Sequence, residues 1–179
     1  GHRRLQASVE EFTGRLHLTR GAYARAVEHY RRALMINLEV GRTRGAALQR
    51  HFLGQALHLS GDHEAALAEL RQALTLMESL LHNNFRSRGS ILMTTATVLR
   101  ALGRDTGATA ELQRALPLLR QAGVNSLAAQ ALEQLADLAE ACRDVEQVRR
   151  HLTAAAEIYT AAGSADADRI IAKLADLGP

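Results

Sequence analysis

Residues 61–74, GDHEAALAELRQAL, decide the fold. A turn residue, Gly61, is followed by Ala66, Leu70 and Ala73, at intervals of four and three. Residues so spaced share one face of a helix. The same order recurs from Gly21 (Ala26, Tyr30, Ala33) and from Gly103 (Ala108, Leu112, Ala115), at steps of 40 and 42 residues. Seven residues ahead of each glycine stands a small residue, Gly14, Gly54 or Ala96. A side chain that small lets a second helix come close. A weaker fourth copy has Arg143 at the turn, the face Val148, Leu152 and Ala155, and Ala136 upstream, with Leu135 and Leu138 as its first-helix core. A period of this length means stacked helical hairpins, each lacking a core until its neighbour arrives.

The totals agree with helix. Of 179 residues 47% are apolar and only 3% aromatic, Trp is absent, and the two prolines stand at 117 and 179. Ala and Leu, the commonest residues, favour helix over strand. The net charge of +3 is too small to argue for nucleic acid. It is uneven: residues 1–90 hold 13 Arg against 8 acids, and residues 91–179 hold 8 Arg and one Lys against 11 acids. The single cysteine, Cys142, rules out an internal disulfide, fits a reducing, cytoplasmic compartment, and reads as a small packed apolar residue. No apolar run is long enough to span a membrane. The opening GH reads as a tag scar, with residues 1–3 disordered and 4–179 forming one domain.

The order of small residue, turn glycine, alanine, bulky apolar residue and alanine resembles the tetratricopeptide repeat, over roughly residues 5–162. The usual period of that repeat is about 34. The longer steps are similar to the long-helix variety of large bacterial regulators and signalling adaptors. EVGRTRGAALQRHFLGQALHLSGDHEAAL, residues 39–67, resembles the C-terminal arrays of actinobacterial transcription regulators and nucleotide-switch ATPases. The resemblance implies an all-α, right-handed solenoid of about four repeats (4–40, 43–82, 86–122, 125–162) and a capping helix near 164–177. First helices are expected near 4–20, 43–60, 86–102 and 125–142, and second helices near 23–40, 63–82, 105–122 and 145–162. Ser164 should cap the last helix, with Asp166 and Asp168 in its first turn. Ile170, Ile171 and Leu174 should cover the end of the stack. Pro117 should kink or shorten its helix.

Motifs for chemistry are missing: no phosphate loop, metalloprotease motif or nucleophile elbow occurs. His51 and His58 stand seven apart, about 10.5 Å along a helix, too far to share a metal. No catalytic residue, cofactor or metal is expected. Tyr30 and Tyr159 read as packing residues, and Arg31–Arg32 and Arg149–Arg150 as solvated. The arginine pairs in RTRG (42–45) and RSRG (86–89) could grip carboxylate or phosphate, but their registers differ, which favours plain loop solubility.

In tetratricopeptide domains the first helices line a concave groove that holds extended or helical peptides. Free faces of the first helices give four rows: Ser8, Glu11, Arg15 and Leu18; Leu48, His51, Gln55 and His58; Ser90, Met93, Thr97 and Arg100; Gln130, Glu133, Asp137 and Glu140. The first three are neutral to basic and the last is acidic. A ligand with an acidic part near Arg15, His58 and Arg100 and a basic part near the fourth repeat would match. The Lys and Asn set with which the chaperone-binding subgroup holds a terminal carboxylate is replaced here by Glu11, Arg15, His51 and Gln55. The expected function is a protein-interaction scaffold, the partner-binding or regulatory part of a larger bacterial transcription regulator. Its partner is a protein, a peptide or another domain of the parent chain, with no direct contact to nucleic acid or membrane. The alternative is a self-association module, a homodimer.

Overall fold

The computed structural model describes residues 2–81 and 83–178; Gly1, His82 and Pro179 lie outside the described residues. Among these, nine helices and no strand occur: α1 His2–Thr19, α2 Tyr23–Glu39, α3 Thr43–Leu59, α4 His63–Glu78, α5 Phe85–Ala101, α6 Asp105–Gln121, α7 Asn125–Ala141, α8 Val145–Ala161 and α9 Asp166–Asp176. Each helix packs on the next, so α1–α8 form four stacked hairpins and α9 lies on α8.

The repeating face is the core. Ala26, Ala66 and Ala108 are fully buried, as are Tyr30, Leu70 and Leu112, and Ala33, Ala73 and Ala115. Val148, Leu152 and Ala155 do the same in the fourth repeat. The small residues seat these bulky ones. A Cβ built on Gly54 would lie 2.7 Å from Leu70 Cγ, and one on Gly14 would lie 2.9 Å from Tyr30 Cε1. Side chains on these glycines would displace core atoms that have nowhere to go.

The turns follow from helix-end geometry. Past α3, Gly61 takes φ 92°, its N–H bonds to the His58 carbonyl, and the Asp62 N–H bonds to the Leu57 carbonyl at 2.9 Å. This satisfies carbonyls that the helix leaves without partners. Asp62 then caps α4 by accepting from the Ala65 N–H. Arg143 is the described non-glycine residue with positive φ, 59°, so the fourth repeat keeps the turn without the glycine.

Several expectations need correction. Helix α1 begins at His2, two residues before the expected start, and Arg3 lies 3.3 Å from Glu39, while Gly1 lies outside the described residues. Helix α4 stops at Glu78, four residues short of the expected 82. Pro117 does not shorten α6, which has 17 residues like α5 and α7. It sits on the exposed face, beside the exposed Gln113 whose carbonyl loses its helical partner, so water can replace that bond. Cys142 is exposed at the end of α7 rather than packed. At the cap, Ile170 is fully buried and Leu174 packs on the last core, but Ile171 is 50% exposed. The N-cap of α9 is Ala165 and has no side-chain cap bond; Ser164, one residue earlier, accepts from the Asp166 N–H at 3.2 Å.

Candidate functional site

The first helices α3, α5 and α7 form the wall of a cavity of about 670 Å³. It crosses that wall obliquely. Helix α3 contributes from its C-terminal half (His51, Gln55, His58, Leu59), α5 from its N-terminal and middle turns (Arg86, Ser90, Met93, Thr94, Thr97), and α7 from its N-terminal half (Leu127, Gln130, Gln134), with Leu18 of α1 at one edge. Arg86 is the formal charge among these lining residues apart from the two histidines.

Six expected groove residues meet here: Leu18, His51, Gln55, His58, Met93 and Thr97. The other six do not line the cavity. Glu11 accepts from Gln49 Nε2 at 2.6 Å. Arg15 is exposed on α1. Arg100 lies 3.9 Å from Asp137. Glu133 accepts from the Tyr159 hydroxyl at 2.7 Å and pairs with Arg169 at 2.8 Å. Asp137 and Glu140 lie 3.1 and 3.4 Å from Lys173. The acidic row is therefore answered by the cations of α9, and the charge pattern expected for a ligand, acidic at one end and basic at the other, has no counterpart in the cavity. Of the remaining row members, Ser90 and Gln130 line the cavity, while Leu48 lines a separate hollow of about 570 Å³ with Arg42 and Arg44.

Sequence reasoning missed Leu59, Arg86, Thr94, Leu127 and Gln134. Leu127, Gln130 and Gln134 do carry helical spacing, one turn before the row chosen on α7. The two arginine pairs do not form one site. Arg42 and Arg44 flank the start of α3, whereas Arg86 lies in the main cavity and Arg88 pairs with Glu78 at 3.6 Å.

His51 is the buried titratable group of the wall, 6% exposed. Thr94 Oγ1 donates to the Ser90 carbonyl, so its oxygen accepts from His51 Nε2–H at 2.9 Å. That fixes a neutral tautomer, and burial lowers the imidazole pKa to about 4. His58 is also lowered, by burial and then by His63, whose Nδ1 is 3.1 Å from its own. Because the folded pKa of His51 lies below the unfolded value, the unfolded chain takes up the proton first. Stability should be full above pH 6.5 and fall as pH drops toward 4, by about 2–3 kcal/mol from His51 alone. Urea titrations at pH 7, 5.5 and 4.5 check this, and His51→Gln should flatten the dependence.

The comparisons with known proteins agree with the fold. Residues 50–78, the core of the second repeat, match the tetratricopeptide repeat profile. The fold is a tetratricopeptide-repeat solenoid. RapI in its apo form superposes with a TM-score of 0.82 at 14% identity, over 97% of this chain and 48% of RapI. A kinesin-light-chain protein of Podosopora anserina with nearly identical TPR-like repeats gives 0.74 at 17%, over 99% and 96%. A signal transduction ATPase with numerous domains from Pyrococcus horikoshii, which has a tetratricopeptide repeat sensor, gives 0.77 at 11%, over 98% and 26%. The chain thus spans about half the length of RapI. No curated protein matches it in sequence. Among the described residues, no helix of the solenoid is long and apolar enough to cross a membrane.

Proposed function

We propose that this solenoid is a non-catalytic protein-interaction scaffold that holds an uncharged segment of a partner protein, or of another domain of its parent chain, in the cavity across α3, α5 and α7. The observation that carries the reading is the lining. Met93, Leu18, Leu59 and Leu127 offer apolar contact, while Gln55, Gln130, Gln134, Ser90 and Thr97 offer amides and hydroxyls. Side-chain amides match the donor and acceptor pattern of a peptide backbone. The carboxylates nearby are already paired, which leaves Arg86 as the formal charge in the lining besides the histidines. The ATPase whose tetratricopeptide repeats are described as a sensor supports reading the chain as the regulatory part of a larger regulator.

Selection from a random 12-residue peptide library tests this. The expected peptides are uncharged and apolar in their central residues, and Leu59→Glu, at a lining position that is 47% exposed, should weaken their binding at least tenfold, about 1.4 kcal/mol, without unfolding the chain. Peptides that bind Leu59→Glu as well as the parent would remove the cavity as the site.

A further inference from the structure

The charged side chains of the cavity wall fall into two groups. On α3, α5 and α7, Arg50 pairs with Glu69, Arg88 with Glu78, and Arg100 with Asp137, while the three acids of α7 meet the cations of α9. Arg44 and Arg86 have no carboxylate among the described residues, and neither has Arg42 at the N-cap of α3. All three are exposed. Arg86 lines the main cavity, and Arg42 and Arg44 line the second hollow of about 570 Å³.

These arginines share one edge of the wall. Helices α3 and α5 run parallel, because α4 returns between them, so their starts lie side by side. The acids closest in sequence are taken: Glu39 at the end of α2 lies 3.3 Å from Arg3, and Glu78 at the end of α4 lies 3.6 and 3.8 Å from Arg88 and Arg114. The first turns of α3, α5 and α7 hold no acid, whereas those of α4, α6 and α8 hold Glu64, Asp105 and Glu146. An acid suits a helix start, and a cation there opposes the dipole. Arg42, Arg44 and Arg86 therefore gain nothing from the dipole or from an ion pair within the fold. Their positive potential is open to an anion from outside. The edge lies in the middle of the stack, so a hairpin added before α1 or after α9 would not cover it by stacking.

We propose that this edge is a docking rim for an acidic stretch of the partner: the segment whose uncharged part fills the cavity continues over the starts of α5 and α3 with aspartate or glutamate residues that pair with Arg86, Arg42 and Arg44. The inference rests on the peptide-binding reading of the cavity and adds the charge of the flanking residues. A guanidinium takes a carboxylate through two parallel N–H···O bonds. A flexible acidic side chain can reach an exposed arginine without deep burial. Exposed pairs are weak one by one, so the gain comes from several together and is screened by salt.

Three peptide pools test it, alike in a randomised centre of apolar and amide residues and bearing glutamates, glutamines or lysines at both ends. At about 50 mM salt the glutamate pool should bind about tenfold more tightly than the glutamine pool, and the gap should close toward about 500 mM. Arg42→Gln, Arg44→Gln and Arg86→Gln in one chain should erase the preference and leave the helical spectrum in place, since all three side chains are exposed. Equal binding of the glutamate and glutamine pools overturns the rim. So does a preference that survives the triple substitution, and so does a chain that captures anionic phospholipid vesicles but does not discriminate among the pools. In each case Leu59→Glu tells what else falls: if it still weakens the glutamine pool the cavity stands without its rim, and if it does not, both are overturned.

Discussion

Leu70→Ala is expected to lower the unfolding free energy by about 3–4 kcal/mol. Leu70 is fully buried, and it fills the notch made by Gly54 on the facing helix. Removing its branched end loses the transfer free energy of the missing carbons and leaves a cavity that close-packed neighbours cannot fill. The site lies in the second of four hairpins, each of which finds its core against its neighbours, so the damage spreads to both sides. Urea denaturation followed by circular dichroism should show the midpoint shift. Hydrogen exchange should show α3 and α4 opening before α7 and α8.

The opposite change at the same contact is nearly as costly. Gly54→Val should destabilise by about 3 kcal/mol. A Cβ there lies 2.7 Å from Leu70 Cγ and 3.2 Å from the Ala66 carbonyl oxygen. The first of these atoms is the branch point of a side chain locked in the core and the second is backbone, so neither can yield cheaply. Valine gains a few tenths of a kcal/mol over glycine in helix propensity, far less than the overpacking cost. The midpoint of urea unfolding again reads the result.

Most of the fold was legible because its determinants are local. The buried Ala66–Leu70–Ala73 face and the small residue at Gly54 repeat at fixed offsets, and burial acts on those same offsets in every hairpin. Arg143 shows that even a copy without the turn glycine could be found, because Val148, Leu152 and Ala155 keep the spacing. The end of α4 was not legible, since nothing in its helical pattern changes at Ser79. The candidate site was legible only in part. His51, Gln55, Met93 and Thr97 stand where the helix faces put them. The row on α7 was set one turn too late, because the cavity runs obliquely across successive first helices, and that course depends on how one hairpin is rotated on the next. Local spacing does not encode that rotation. Nor does it show that Lys173, 36 residues away, answers Asp137, or that Arg169 answers Glu133. Those contacts exist only once α9 has folded back on the stack.

That small residues seat bulky ones across each hairpin is tested most directly by a double-mutant cycle at Gly54 and Leu70. With Gly54→Val and Leu70→Ala in one chain, the valine can occupy the space the leucine vacates. The combined loss should fall short of the sum of the single losses by at least about 1 kcal/mol. Losses that add to within about 0.3 kcal/mol would contradict direct contact between these two positions, and with it the packing rule on which the solenoid is built.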